Sequence, residues 1–268
     1  MRVCFFFGEA ENALYGVHHA PSAKIRQKAI LLCYPFGREY MRSHRALVRL
    51  SDQLAEAGFH TLRFDYSATG DSAGDDGESG LDAWLIDIQT AVQELRDISG
   101  IETISMIGLR LGAALAARAA TSLSNIDSLV LWDPVVCGAT YSEHLVSLHK
   151  DFVQSSYHFP SPELLPAEVT KSEELLGFKF GSKLRTSLPG LDISQLPGLD
   201  VRWVALISTD EQPEYSLLLE NLSKLGVQTR HCRIQEQIAW DEVKDIDLVL
   251  TAHEATNQII QSLTEGDV

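Results

Sequence analysis

The chain has 268 residues, of which 45% are hydrophobic and 22% are charged, and its formal net charge is −15 at pH 7. This length and composition fit one large globular α/β domain that can bury a substantial core. The negative charge excludes nucleic acid and anionic lipid as partners bound through bulk electrostatics, although a local cationic pocket can still bind an anion.

Short apolar runs predict strands, and apolar positions repeating every three to four residues predict helices. The predicted strands are Phe5–Phe7, Ala13–Val17, Ala29–Tyr34, His60–Asp65, Thr103–Ile107, Ser128–Trp132, Val201–Ser208 and Val227–Ile234. The predicted helices are one that Ser43 caps and Gly58 ends, Leu81–Ile98, Ala113–Ala120, Tyr141–Phe152, Lys171–Leu176, Pro213–Leu225 and Asp245–Leu263. Their alternation predicts a mostly parallel central sheet with helices on both faces.

The stretch 138–200 interrupts this alternation. It contains a proline-bearing segment with Pro160, Pro162 and Pro166 between two predicted helices. We interpret it as a helical lid inserted over the carboxyl ends of the strands. The core of the single domain is then 1–137 together with 201–268.

The N-terminus and the cysteines bear on location. The apolar opening Met1–Phe7 is followed at once by Gly8 and Glu9, unlike a signal peptide. No apolar run approaches the roughly 20 residues needed to cross a bilayer. The four cysteines lie far apart, at Cys4, Cys33, Cys137 and Cys232. Three of them lie in strand-like apolar runs, which favours buried thiols. The opening unlike a signal peptide favours a cytoplasmic location, and the wide spacing of the cysteines favours no metal or cofactor.

The most informative segment runs from Gly108 to Gly112, with Arg110 at its centre. A strand precedes it and an alanine-rich helix follows it, which is the setting of the nucleophile elbow G-x-S-x-G. The two glycines suit a turn too sharp for neighbouring Cβ atoms. A guanidinium stays protonated and has no lone pair with which to attack a carbonyl. The elbow is therefore predicted without its nucleophile.

Four segments of the chain resemble the α/β-hydrolase superfamily in its serine aminopeptidase-like branch. They are Tyr34–Gly37, Phe64–Gly74, the elbow Gly108–Gly112 and Ile207–Asp210. The resemblance implies the α/β-hydrolase fold, an oxyanion-hole loop at the first segment and a triad acid at the last. It also implies a histidine after the final strand, but residues 235–240 contain none. His253 lies within the predicted last helix, so it is a weak candidate.

A narrower resemblance concerns the group called exosortase A system-associated hydrolase 2. It rests on the strings at 108–113, 131–135 and 174–178, and arginine also stands at the elbow in that group. This resemblance implies a role beside exopolysaccharide biosynthesis, where acyl-ligase and carrier-protein genes lie nearby.

Arg110 at a helix N-terminus predicts a receptor for a carboxylate, phosphate or sulfate. The predicted ligand-binding residues are Arg110, Leu111, Phe36, Gly37, Arg38 and Trp240. Arg42 and Arg45 extend the positive charge. Trp240 packs in the core, walls the pocket or stacks on the guanidinium. The alternative is an ion pair of Arg110 with Asp210 or Asp133, which closes a dead site.

Three functional hypotheses follow. The first is a non-hydrolytic protein that binds an anionic or acyl-bearing small molecule beneath the lid. The second is a hydrolase, acyltransferase or lyase in which Asp210 or Asp133 acts as general base; its candidate nucleophiles are Ser67, Ser72, Ser208 and Cys137. The third is an interaction module for a pathway enzyme or carrier protein. The sequence leaves a homodimer open.

Overall fold

The computed structural model describes residues 1–157, 173–236, 238–241 and 252–265. The strands are β1 (Arg2–Phe7), β2 (Leu14–His19), β3 (Ala29–Cys33), β4 (Thr61–Phe64), β5 (Ile104–Leu109), β6 (Ile126–Trp132), β7 (Glu174–Leu175), β8 (Phe178–Lys179), β9 (Trp203–Ser208) and β10 (Gln228–Arg233). The helices are α1 (Gly37–Glu56), α2 (Leu81–Ser99), α3 (Leu111–Ala120), α4 (Gly138–Tyr157), α5 (Ser182–Ser187), α6 (Pro213–Lys224) and α7 (His253–Glu265).

Eight strands form one sheet in the order β1-β2-β4-β3-β5-β6-β9-β10. Strand β2 is antiparallel to both of its neighbours, and the other pairs are parallel. The predicted mostly parallel sheet is therefore confirmed. Strands β3, β5 and β9 are buried along their whole length, as expected for strands covered on both faces.

Helices α2 and α3 contact each other and β3, whereas α1 contacts α7. This pairing fits two helical layers around the sheet. Because parallel strands end at the same edge, the segments that follow β3, β5, β6 and β9 come together there. The fold thus brings Phe36, Arg110, Asp133 and Asp210 to one edge of the sheet.

The predicted start of the helix at Ser43 is wrong. Helix α1 begins six residues earlier, at Gly37, and Ser43 is buried inside it with its hydroxyl donating to the carbonyl of Tyr40. The apolar periodicity begins late because the first two turns bury the polar residues Glu39 and Ser43. A pattern search for apolar side chains therefore misses those turns.

Between β6 and β9, α4 is followed by a small antiparallel hairpin of β7 and β8 and then by α5. The predicted helix Lys171–Leu176 is wrong in its described part, since Glu174 and Leu175 form β7. Leu176 and Gly177 have φ of 55° and 87°. Positive φ at both central residues is the condition for a two-residue type I′ hairpin. Pro160, Pro162 and Pro166 lie outside the described residues, as do 171 and 172.

Two further expectations concern the last helix and the cysteines. The last helix is described from His253 to Glu265, and residues 245–251 of its predicted span lie outside the described residues. Cys4 is exposed on the edge strand β1, so the expectation of a buried thiol is wrong there, whereas Cys33 on β3 is buried. Among the described helices, none combines the length and the apolar character that a membrane crossing requires.

A pair of stacked imidazoles predicts how stability depends on pH. His18 Nε2 lies 3.0 Å from His60 Nδ1, and His18 is 7% exposed. Burial, and then the neighbouring His60, lower the pKa of His18 to about 4. The folded protein resists protonation of His18. The contribution of neutral His18 to the free energy of unfolding is therefore complete above pH 6.5 and declines as the pH falls toward 4.

We expect the free energy of unfolding to fall by about 2 kcal/mol more between pH 7 and pH 5 in the wild type than in His18→Gln. Urea titrations followed by circular dichroism at both pH values measure this difference. Equal losses in the two proteins would contradict the assignment.

Candidate functional site

The elbow is a sharp turn between β5 and α3. Arg110 occupies its tip with φ 53° and ψ −119°, a conformation that side chains rarely adopt. A Cβ on Gly108 would lie 2.4 Å from Ala113 Cα, and one on Gly112 would lie 2.3 Å from the carbonyl oxygens of Cys33 and Tyr34. Only glycine fits at either position, so the sequence produces this turn for steric reasons.

Arg110 is held by three kinds of contact that suit a cation. Its Nε donates to Glu39 Oε1 at 2.9 Å, and its Nη1 donates to the backbone carbonyl of Asp133 at 3.1 Å. The ring face of Tyr141 lies 5.7 Å from its Cζ. Burial opposes the charge, but Glu39 and Tyr141 favour it, and the pKa of Arg110 lies above its ordinary value. The guanidinium is therefore permanently charged and already paired.

Glu39 is fully engaged in this arrangement. It is 1% exposed, and its second oxygen accepts a hydrogen bond from the Tyr141 hydroxyl at 2.8 Å. The sequence interpretation named Asp210 or Asp133 as the partner of Arg110 and missed Glu39 and Tyr141. No signal in the sequence marked Glu39, because its burial is visible only in the structure.

The two carboxylates proposed as general bases differ sharply. Asp133 Oδ1 accepts from the Thr209 amide at 2.8 Å and from the Thr209 hydroxyl at 3.1 Å, and Oδ2 accepts from Trp240 Nε1 at 2.8 Å. Burial raises the pKa of Asp133, and these hydrogen bonds counteract the rise. Asp133 thus ties together the segments after β6, β9 and β10. Asp210 is exposed and forms no ion pair within the described chain.

Trp240 walls the site and belongs to the core. It is 4% exposed and packs edge-to-face on Trp132 at 5.1 Å between ring centroids. The aromatic ring that faces the Arg110 guanidinium is that of Tyr141. Of the three roles considered for Trp240, the structure supports core packing, and Trp240 also lines the cavity that Arg110 lines.

The predicted ligand-binding residues divide between two cavities. Phe36, Gly37 and Leu111 line the first cavity, of about 410 Å³. Arg110 and Trp240 line the second, of about 350 Å³. The side chain of Arg110 therefore lies in a different cavity from the start of the helix that it precedes. The single anion receptor expected from the sequence is wrong in this respect.

The neighbouring arginines lie on α1 rather than on a loop. Arg42 Nε donates to the Ala239 carbonyl at 3.1 Å, Arg45 is exposed, and Arg38 is half-buried. None of the three is among the described residues that line either cavity. The expectation that they extend the positive charge at Arg110 therefore gains no support from the lining of either cavity.

The second cavity contains an imidazole that the sequence interpretation missed. His144 Nε2 lies 2.6 Å from Asp241 Oδ2, and both line this cavity. The hydrogen bond that His144 donates to Asp241 raises the pKa of His144, and the same bond lowers the pKa of Asp241. Asp241 comes after the last strand, where the superfamily would place its histidine. The imidazole comes instead from α4, one turn beyond Tyr141, and that i, i+3 spacing could have indicated a shared face.

His253 lies elsewhere. It begins α7, is exposed, and its Nε2 lies 3.4 Å from Arg49 Nη1. Its backbone amide donates to Glu236. It is not among the described residues that line either cavity. This weak candidate therefore has no geometric support.

The four candidate nucleophiles have different surroundings. Ser72 accepts from the Tyr15 amide and donates to the Asp65 carbonyl, so it shapes a turn. The Ser67 hydroxyl lies 3.0 Å from that of Ser79, and the Ser208 hydroxyl lies 2.8 Å from His231 Nε2. Cys137 lines the second cavity, and hydrogen bonding to Thr140 lowers its pKa. It is the one candidate of the four that lines either described cavity.

Comparisons with known proteins place this geometry in context. The family model Hydrolase_4, described as serine aminopeptidase, S33, matches residues 36–174, just over half of the chain. The human protein ABHD12B is 30% identical over 116 residues, or 42% of this chain. The match spans 31% of that protein, about a third of its length.

The chain also resembles solved structures. An esterase of Pyrococcus furiosus aligns with 99% of this chain and 90% of its own, with a TM-score of 0.62 at 16% identity. A proline iminopeptidase of Mycobacterium smegmatis aligns over 99% of both chains, with a TM-score of 0.62 at 12% identity. At such identities the likeness shows the fold alone, and that fold is the predicted α/β-hydrolase fold.

Removing one partner of the buried pair leaves the other charge uncompensated. We expect Glu39→Gln to lower the free energy of unfolding by about 3 kcal/mol, measured by urea titration. Tyr141→Phe removes one hydrogen bond to the same carboxylate and should cost about 1 kcal/mol. The double variant Glu39→Gln/Arg110→Met should recover most of the loss. A Glu39→Gln protein as stable as the wild type would refute a buried, charge-compensating pair.

The His144 assignment has its own test in imidazole titrations by NMR. We expect the pKa of His144 to lie above 6.5 and to fall in Asp241→Asn, because that variant removes the acceptor charge. His149 on the same helix is the matched control, since burial lowers its pKa. Identical His144 titrations in the wild type and Asp241→Asn would rule the pairing out.

Proposed function

Because the chain belongs to the serine aminopeptidase S33 family and carries Arg110 at the elbow tip, we propose that it is a non-hydrolytic member of that family. It binds an acyl-bearing small molecule in the first cavity, beneath the insertion. The observation that carries this proposal is the paired guanidinium at the nucleophile position, beside a cavity of ligand size.

Hydrolysis by the usual triad requires a nucleophile, a base within hydrogen-bond reach and an acid that orients the base. Arg110 has no lone pair to donate. The Asp133 carboxyl accepts three hydrogen bonds, from Thr209 and Trp240. No imidazole among the described residues bonds to it. These observations favour binding over ester or amide cleavage.

The first cavity has the chemistry of an acyl site. Its volume of about 410 Å³ lies within the range of small-molecule pockets. Aromatic and aliphatic side chains dominate its lining: Tyr34, Phe36, Tyr40, Met41, Tyr66, Trp84, Leu111, Leu115, Phe178 and Leu184. The last two come from the insertion, which supports its proposed role as a lid.

A polar head group has a place in the same cavity. Gly37 and Leu111 are the first residues of α1 and α3, and both line it. Helix N-termini present unpaired N–H groups and a partial positive charge, which favour a carboxylate or carbonyl oxygen. Lys179 of the proposed lid hairpin adds a cation to the lining, which also includes the carboxylates of Asp65, Asp76 and Glu174. The acyl carboxylate is therefore proposed to lie here, and not on Arg110.

The resemblance at 108–113, 131–135 and 174–178 supports a role in exopolysaccharide biosynthesis beside acyl ligases and carrier proteins. All four cysteines are free thiols, which favours a reducing, cytoplasmic setting. Both statements belong to the proposal.

A second candidate function has one specific observation in its favour. His144 paired with Asp241 could transfer protons to a ligand in the second cavity, where Cys137 offers a thiol. Turnover of a nitrophenyl ester that Cys137→Ala and His144→Gln each abolish, with stoichiometric iodoacetamide labelling of Cys137, would establish this enzyme and refute the non-hydrolytic proposal.

We expect saturable binding of straight-chain carboxylates of six to fourteen carbons, measured by isothermal titration calorimetry with decanoate as the first probe. Leu115→Phe and Leu184→Phe fill the first cavity and remove room for about two methylene groups. That loss is worth about 1.6 kcal/mol, or roughly tenfold in Kd. The wild type should hydrolyse nitrophenyl octanoate no faster than the Arg110→Ala variant does.

The matched control is Leu217→Phe, the same replacement at a half-exposed position of α6 that lines neither cavity. It should bind decanoate as the wild type does. Binding unchanged by both cavity-filling variants, or no saturable binding of any of these carboxylates, would contradict the proposed acyl site.

A further inference from the structure

The second cavity, of about 350 Å³, is not used by the proposed acyl site. It opens at the carboxyl ends of β6 and β9, between the start of α6 and the helix α4. By chemistry, one part of its lining consists of Arg110 and Tyr215 and another of Asp210 and Glu214. The two sets of residues present opposite chemistry.

One part presents hydrogen-bond donors. A guanidinium has five N–H groups, and described residues accept from Nε and Nη1 of Arg110. Tyr215 is 1% exposed and lines the cavity, yet its hydroxyl has no hydrogen-bond partner among the described residues. Burial, followed by the charge of Asp133, raises the pKa of Tyr215, so the phenol keeps its proton. An unpartnered hydroxyl on an otherwise buried side chain, in a cavity that Arg110 also lines, suits an incoming oxygen.

The other part presents carboxylates. Asp210 is exposed and Glu214 half-buried, and neither forms an ion pair within the described chain. The adjacent Glu211 differs, because it pairs with Arg233 at 3.1 Å and does not line the cavity. Two unpaired carboxylates at the edge of a cavity suit an ammonium group.

These features together disfavour the simpler ligands, although His144, Asp241 and Asp133 also line the cavity. A plain anion would meet Arg110 already compensated by Glu39 and would be repelled by Asp210 and Glu214. A plain amine would leave the Tyr215 hydroxyl and the remaining Arg110 donors unsatisfied. We propose that the second cavity binds a small zwitterion of the amino-acid class, with its carboxylate at Arg110 and Tyr215 and its ammonium at Asp210 and Glu214.

The test screens the twenty common L-amino acids by thermal shift and measures the strongest binder by isothermal titration calorimetry. Two analogues of that amino acid are then measured. The amide keeps the amine and lacks the carboxylate, and the desamino acid keeps the carboxylate and lacks the amine. Each analogue should bind at least about tenfold more weakly, because a charge-assisted contact is lost. Analogues that bind as tightly as the amino acid would overturn the proposal, as would a panel with no saturable binder below about 10 mM.

Variants separate the two ends of the ligand. Tyr215→Phe should weaken the amino acid about fivefold and leave its amide unaffected. The double variant Asp210→Asn/Glu214→Gln should weaken binding of the amino acid and of its amide alike. Glu211→Gln is the matched control and should change neither. Leu115→Phe should leave amino-acid binding intact, so failure of the acyl site and failure of this site can be told apart.

Discussion

The buried contact between Glu39 and Arg110 is the constraint on which the site depends. Each partner alone would be an uncompensated charge in a largely buried setting, and removing one partner from such a pair is far more costly than replacing both by apolar residues. The pair joins residues 71 positions apart, one on α1 and one at the elbow. Tyr141 of α4 and the Asp133 carbonyl complete it, so α1, β5, β6 and α4 meet at one guanidinium.

The same contact explains why the site has two cavities with separate chemistry. The side chain at a nucleophile elbow would ordinarily stand in front of the N–H groups that begin the following helix. Here the guanidinium is held by Glu39 and Asp133, and it lines the polar cavity while Leu111 lines the apolar one. The helix N-termini are thereby left to the apolar cavity, and the cation contributes to the polar one.

Much of the fold follows from local pattern, and much of the site does not. Two elements could be predicted from local pattern alone: the continuous apolar run at Ala29–Cys33 and the apolar stripe of Leu81–Ser99. In both, the spacing of apolar residues along the chain indicates the type of element and its buried side. The glycines at 108 and 112 identify the elbow for the same reason. Glu39 and His144 could not be assigned in this way, since a carboxylate in a helix start or an imidazole on a helix face is ordinary until its distant partner is known.

Arg110 is not simply a serine lost from a site that otherwise persists. A carboxylate, a backbone carbonyl and an aromatic face meet its side chain, and each of these groups is attractive to a cation. Asp133 lies after β6, and its carboxylate accepts hydrogen bonds from Thr209 and Trp240. Asp241 lies after the last strand, and its partner His144 lies on α4. Several distant positions thus agree with a permanent positive charge at the elbow, which argues that the surroundings are adapted to the arginine.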